Sequence, residues 1–366
     1  MKTDNRLASL DALRGFDMMF IMGLASLIAA ICALFPGGAD CFLARQMGHV
    51  SWNGFQHHDT IFPLFLYIAG ISFPFSYANM QSRGMVRWKI YRKIIIRGFV
   101  LFFLGLICNG FLRFHHDTLR IFSVLGRIGF AWMFAALLFI NFRPRTRAVI
   151  ATIILLGYWF VSMIPAPDAP AGTDPLSLEG CLAGYIDRTI FPGHLYKTNF
   201  DPEGLLSLIP AIVTAMLGMF TGEFVRKENI SGNRKTLWML GAATLMLVLC
   251  LVWKNWYPVN KKLWSSTFVL AAGAYSLYLF AIFYWIIDVK GWDGWIFPFK
   301  VVGMNSIAVF MVPRFFSVGY ARDFLFKGVA ELCPDSVATV ILRAGFFFVS
   351  WLIPYFLYKQ KIFLKV

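Results

Sequence analysis

His49 stands two residues before Ser51-Trp52-Asn53-Gly54, in a stretch that leads directly into an apolar run. Imidazole is the side chain best matched to proton transfer near neutral pH, yet a lone loop histidine has no chemistry until something orients it. Arg120 and Arg127 are seven residues apart; two helical turns would set them on one face about 10 Å apart. A guanidinium deep in an apolar segment needs a partner. For Arg127 the options are a carboxylate (Asp11, Asp59 or Glu203) or a water-filled cavity that receives an anion, whose phosphate or carboxylate fits the guanidinium fork. Asp11 and Arg14, at i and i+3, can pair on one helix face or meet a ligand. Arg97, one turn into its run, can snorkel to the interface. His57-His58-Asp59 and His115-His116-Asp117 look like metal-binding dipeptides. Adjacent histidines point in different directions, however, and no second ligand pair follows at metal spacing, so no metal is expected. Asp201-Pro202-Glu203-Gly204 reads as an ordinary helix start. Asn305-Ser306 reads as a small polar pair able to hydrogen-bond between helices.

The elements that must position these residues are membrane helices. Of 366 residues, 58% are hydrophobic and only 14% charged, whereas a soluble domain carries roughly a quarter charged residues. That balance excludes a soluble enzyme, a disordered chain, a coiled coil and a disulfide scaffold. The net charge of +15 does not indicate nucleic-acid binding, because the basic residues recur in short clusters beside apolar runs and do not gather on one face. Applying the length of about 20 residues needed to cross a bilayer gives an all-α polytopic bundle of about ten transmembrane helices. They lie at approximately 13–36, 59–79, 93–113, 119–140, 147–165, 203–225, 236–253, 264–288, 299–317 and 337–358.

Loop charge orients the bundle. Arg83, Arg87, Lys89, Arg92 and Lys93 fall on one side with Arg143, Arg145, Arg147, Arg226, Lys227, Arg234 and Lys235, as do Lys2 and Arg6 at one end and Lys359, Lys361 and Lys365 at the other. The segments at about 37–58 and 166–202 contain only Arg45, Arg188 and Lys197, so the positive-inside rule puts both termini in the cytoplasm and these two loops outside. The first apolar run, Gly15 to Phe35, lacks a small-residue cleavage site and reads as a retained helix. No repeat or soluble module interrupts the chain, which reads as a single domain over 1–366. Cys32, Cys108 and Cys250 lie in apolar runs as small core residues; Cys41, Cys181 and Cys333 fall outside the cytoplasm, where a disulfide among them is open. Trp52, Phe55, Tyr185, Phe191 and Tyr196 in the outer loops suit either an interfacial belt or stacking on a sugar ring.

The residues also carry a resemblance. Ser9-Leu10-Asp11-Ala12-Leu13-Arg14-Gly15 resembles the opening motif of transmembrane acyltransferases. His49-Val50-Ser51-Trp52-Asn53-Gly54 with Asp59-Thr60-Ile61-Phe62-Pro63 narrows this to the heparan-α-glucosaminide N-acetyltransferase family and its bacterial NagX-type relatives. Further matches follow in order: Arg120-Ile121, Val124 to Gly129, Gly184 to Arg188, Asp201 to Leu206, Asn260 to Ser265 and Gly303 to Ser306. The luminal domain and extra first span of the lysosomal member have no counterpart in this reading. The resemblance implies transfer of acetyl from cytoplasmic acetyl-CoA to the amine of a terminal glucosamine or related amino sugar outside, with His49 in the active site. Asp59 then orients the imidazole, and Asn53 and Asn305 can donate to the oxyanion. Arg14, Arg120, Arg127 and Asn305 become the candidates for the CoA side, and Trp52, Asp201 and Glu203 for the acceptor. The acceptor would be a glycosaminoglycan fragment or free amino sugar, the protein a homodimer in a bacterial-type inner membrane. The rival class is a transporter of amino sugars or anionic solutes, although no internal symmetry of the transporter kind is visible.

Overall fold

The computed structural model describes residues 7–114, 116–196 and 199–364, with no placement given to the side chain of His116. Lys2, Arg6, His115, Lys197 and Lys365 lie outside the described residues. In chain order the first helices are α1 (Ala8–Met19), α2 (Ala25–Cys32), α3 (Phe42–Gln46), α4 (Ile61–Ser82), α5 (Arg87–Cys108), α6 (Val124–Asn141) and α7 (Pro144–Ser162). They are followed by α8 (Leu182–Ile190), α9 (Leu208–Val225), α10 (Gly232–Trp253), α11 (Ser266–Phe283), α12 (Phe297–Met304), α13 (Ser306–Phe315), α14 (Val318–Ala330) and α15 (Asp335–Lys359). Among the described residues there is no strand; an isolated bridge joins Pro165 and Cys181. Helix dominates for the reason apolar composition requires: in hydrocarbon each backbone N–H and C=O must find its partner within its own segment.

Among the described residues, eight helical segments are long and apolar enough to cross a membrane: Ala8–Cys32, Ile61–Ser82, Val124–Asn141, Pro144–Ser162, Leu208–Val225, Gly232–Trp253, Ser266–Val289 and Asp335–Lys359. The protein is therefore a multi-pass membrane protein. The expected span at 93–113 exists as the helix α5, but Arg92, Lys93 and Arg97 dilute its apolar run. The expected span at 299–317 is broken at Asn305 into α12 and α13. Outward faces are apolar, with Ile153, Phe160, Leu237 and Leu245 all exposed, as lipid contact demands.

The chain forms two compact units. Unit one comprises the described residues of Met1–Val50, Gln56–Ile61 and Leu279–Lys365, and unit two Ser51–Phe55 and Phe62–Tyr278. In unit one, α1 and α12 meet backbone to backbone. A Cβ on Gly15 would fall 1.7 Å from the Phe299 carbonyl oxygen, and one on Gly303 would fall 2.0 Å from that of Asp11. Small residues at such a crossing bring helices into direct main-chain contact. The first span is kinked where a π turn, Phe20–Leu24, joins α1 to α2, with Gly23 at φ +116°; only glycine takes that backbone without strain. Unit two is built on α4, α5, α6, α9 and α11, whose buried Leu66, Phe73, Ile94, Trp132, Met216 and Phe268 form one core. Arg97 stacks on Trp132, 4.2 Å from guanidinium carbon to ring centre, and does not merely reach for the interface.

Two helix starts differ from the sequence expectation. The fourth span begins at Val124, not near 119, because the Ser123 hydroxyl accepts the Gly126 N–H at 3.0 Å and caps the helix there. Arg120 thus precedes the helix, and the expected shared face with Arg127 does not exist. The sixth span begins at Leu208. Residues 201–207 form a turn instead of its first helical residues, since Asp201 draws backbone N–H groups into a local loop.

Candidate active site

In unit one, Asp59 closes a single 3-10 turn, His57–Asp59, just before α4. Its carboxylate is only 1% exposed, and Oδ2 accepts the backbone N–H of Val50 at 3.4 Å and of Gln56 at 3.3 Å. Oδ1 meets Nδ1 of His49 at 2.7 Å. The His49 side chain remains 49% exposed. A buried carboxylate on Nδ1 favours the tautomer with its proton there, which leaves the lone pair on Nε2 as a general base requires. The ring of His58 lies 4.5 Å from that of His49. His57 is pinned by its N–H to Gln46 Oε1 at 2.8 Å and by the Phe20 ring, and burial lowers its pKa. No group of three His, Cys, Asp or Glu side chains arranged for a metal occurs among the described residues.

Also in unit one, Arg14 pairs with Asp11 at 3.3 Å, keeping 19% of its side chain exposed. Asn305 is fully buried at the α12–α13 break. Its Nδ2 donates to the Ile362 carbonyl at 3.0 Å, and its Oδ1 accepts the Leu364 N–H at 3.1 Å. The amide thereby ties down the segment that follows α15. Asp17, buried within the first span, has an Oδ2 with no hydrogen-bond partner among the described residues.

Unit two gathers the buried charges. Arg120 makes a bidentate pair with Asp201, at 2.7 and 2.6 Å, and a further ion pair with Glu203. Burial opposes the Arg120 charge, but these two carboxylates outweigh it and hold its pKa above the usual value. Asp201 also accepts the N–H groups of Tyr196 at 2.8 Å and Glu203 at 2.9 Å. Arg127 donates to the Ser207 hydroxyl and lies over the Trp264 ring, 4.7 Å from its centre. The two arginines therefore converge on one turn, 201–207, though from different elements. Asp201 and Glu203, expected on the acceptor side, are both committed to Arg120. Asp187, within the Gly184 to Arg188 stretch but not singled out there, is fully buried beside this turn. Its Oδ1 accepts the Leu205 N–H at 2.9 Å, while Oδ2 has no hydrogen-bond partner among the described residues. Burial, reinforced by the charge of Asp201, pushes its pKa up to about 7 against the pull of the Leu205 N–H, Arg127 and Arg188. Sequence could have flagged it as the one acid on the buried side of a short helix.

The Trp-Asn dipeptide serves unit two. Trp52 donates to the Leu176 carbonyl at 2.7 Å and packs on Phe200, with Lys262 over its ring. Asn53 Oδ1 accepts from Asn260 Nδ2 at 3.0 Å. Asn260, in the later matched stretch, also receives the Leu263 N–H and sets the turn that leads to Trp264, whose φ is +54°. All six cysteines carry free thiols. Cys181 and Cys333 bond the carbonyls of Leu178 and Val329, and Cys41 Sγ accepts the Ala44 N–H at 3.4 Å. Cys250 is buried as expected, whereas Cys32 and Cys108 are only partly so.

Comparison with known proteins bears out the family resemblance. The family described as heparan-alpha-glucosaminide N-acetyltransferase, catalytic, matches residues 6–255. Heparan-alpha-glucosaminide N-acetyltransferase of Homo sapiens is 29% identical over 424 residues, an alignment covering 99% of this chain and 60% of the human protein. The protein of that name from Mus musculus is 28% identical, with 99% and 61% covered. The chain thus spans about 60% of the length of the curated relatives it matches. With the match running through His49, Asp59, Arg120, Arg127 and the 201–207 turn, the chain belongs to the heparan-alpha-glucosaminide N-acetyltransferase family.

Proposed function

We propose that the protein is a transmembrane N-acetyltransferase that moves an acetyl group from cytoplasmic acetyl-CoA to the amine of a terminal glucosamine or related amino sugar on the other side. The observation that carries this reading is the His49–Asp59 pair: a buried carboxylate 2.7 Å from Nδ1 of a half-exposed imidazole, inside the family's matched region. An amine must lose a proton to attack a thioester, and Nε2 of His49 takes it. Asp59 stabilises the imidazolium that results. When the tetrahedral intermediate collapses, the same imidazolium returns the proton to the departing CoA sulfur. An alternative path with the same residues has Nε2 attack the thioester first, forming acetyl-histidine that the amine then opens. A labelled acetyl group trapped on His49 without acceptor distinguishes the two.

The reading places the whole chain, 1–366, in one acyltransferase domain with about ten crossings, cytoplasmic termini and outer loops at about 37–58 and 166–202. The location is a bacterial-type inner membrane, and the assembly a homodimer. Arg14, whose side chain stays 19% exposed beside Asp11, is the cation assigned to CoA phosphates. Arg120, Arg127, Asp201 and Glu203 act by holding the 201–207 turn, and Asn53 and Asn305 by fastening loops through their amides. Trp52 offers its ring to the acceptor while its N–H anchors the second loop.

Purified protein incubated with acetyl-CoA and glucosamine should yield free CoA and N-acetylated sugar together, and His49→Ala should lose both. CoA release without acetylated sugar would redirect the search to another acceptor. Neither product, together with no binding of acetyl-CoA, would overturn the reading in favour of transport.

A further inference from the structure

The end of the first span and the start of the segment that carries His49 are folded against each other by a tight turn. After α2 ends at Cys32, the Phe35 N–H bonds the Cys32 carbonyl, Gly38 bonds Phe35, and the Cys41 N–H bonds the Gly38 carbonyl. Gly37, at φ +69°, reverses the chain, and a Cβ on Gly38 would fall 1.8 Å from the Cys32 carbonyl oxygen. This packing folds the segment that carries Cys41 back against the end of α2 that carries Cys32, nine positions earlier, and the Cys32 thiol helps to lower the Cys41 pKa. Cys41 is also the N-cap of α3, its Sγ accepting the Ala44 N–H at 3.4 Å. Both cysteines are partly exposed. Leu34, Phe35, Phe42 and Leu43 around them are exposed as well.

We propose that Cys32 and Cys41 are a redox pair that closes to an intramolecular disulfide, stapling the end of the first span to the segment leading to His49. The oxidant is a small or protein disulfide of the extracytoplasmic space. The Cys41 thiolate attacks one sulfur of that disulfide and expels the other as a thiol. The Cys32 thiolate then attacks the Cys41 sulfur, expelling the second oxidant thiol. One disulfide is consumed and one formed, and the two protons lost by the cysteines end on the two thiols released. Cys41 is the attacking member because the Ala44 N–H lowers its pKa, helped by Cys32, the Leu43 N–H and the charge of Arg45. Closure in the cell rests on the outward placement of loop 37–58; closure of the purified chain does not.

The test uses the full chain in detergent, equilibrated in oxidised or reduced glutathione, quenched in acid, alkylated and cut with trypsin. Cleavage after Arg14 and Arg45 gives one peptide, 15–45, that contains Cys32 and Cys41 and no other cysteine. Reduced protein should show two alkyl groups on this peptide and oxidised protein none, with the mass lower by two hydrogens. Cys32→Ser should instead accumulate a glutathione adduct on Cys41. Two alkyl groups in both buffers, or a lasting glutathione adduct in the native chain, would overturn the pairing. In intact cells, a membrane-impermeant maleimide reports sidedness after reduction. Outward labelling with the pair already open before reduction would refute closure in the cell. Absence of outward labelling would refute the assigned orientation, while the glutathione titration still decides the pair.

Discussion

Gly204→Ala tests how the 201–207 turn is held. A Cβ at this position would lie 1.8 Å from Asp187 Oδ2, 2.5 Å from its Cγ and 2.7 Å from Oδ1, so the whole carboxyl group must move. It has little room, since Asp187 is fully buried and its Oδ1 receives the Leu205 N–H. Overpacking costs about 1–3 kcal/mol, and leaving a buried N–H without its acceptor costs about 1–3 kcal/mol more. The variant should therefore lose about 2–6 kcal/mol. Asp187→Ala alone should lose less, because it removes an ill-satisfied buried acid along with the Leu205 bond. The double variant has no clash and should be more stable than Gly204→Ala, a coupling of about 1–3 kcal/mol between touching residues. Thermal inactivation of detergent-purified protein, followed by size-exclusion at one fixed heating rate, orders the four proteins even if unfolding is irreversible. Gly204→Ala indistinguishable from the parent, or a double variant no better than that single, would refute the argument.

The remaining predictions concern charge. Asp59→Asn should lower turnover at least roughly 10–100-fold, the equivalent of a charge-assisted hydrogen bond of about 1.5–3 kcal/mol, without changing the amount of folded protein; parent-like release of CoA would remove Asp59 from the reaction. Arg120→Lys keeps a charge but not the fork that grips Asp201, and should cost about 1–3 kcal/mol of stability; an unchanged melting curve would count against the bidentate pair. Asp187 ionises near 3.8 when unfolded but at about 7 when folded, so folding takes up a proton between those values. Its contribution to stability is complete below 3.8, falls as pH rises through that window and levels off above about 7. Asp187→Asn should flatten this part of the pH profile, and an identical slope in both proteins would contradict the assigned burial.

Much of the fold was legible because a bilayer imposes one simple requirement, a helix of sufficient apolar length. The run at 264–288 and the helical segment Ser266–Val289 differ by a residue or two for that reason. Boundaries set by side chains were not legible. Ser123 and Asp201 move two helix starts, and whether a serine caps or an aspartate gathers backbone N–H groups depends on where neighbouring chain runs. His49 and Asp59 were both visible in order and motif, but a helix or strand would set residues ten positions apart about 15 or 33 Å from each other. Only the 3-10 turn and the bonds to Val50 and Gln56 bring the carboxylate to Nδ1.

The sequence by itself determined that this is a multi-pass helical membrane protein and, through motifs in a shared order, which family it belongs to. Those are properties of composition and succession, which survive without coordinates. Tertiary structure alone decided which polar groups meet: Arg120 with Asp201 and Glu203, His49 with Asp59, and Asp187 Oδ2 with no hydrogen-bond partner among the described residues. It also put Cys41 beside Cys32 instead of Cys181 or Cys333. The physical reason is range. A hydrogen bond or ion pair is decided within about 3 Å, and residues far apart in the chain acquire that proximity only when the helices pack.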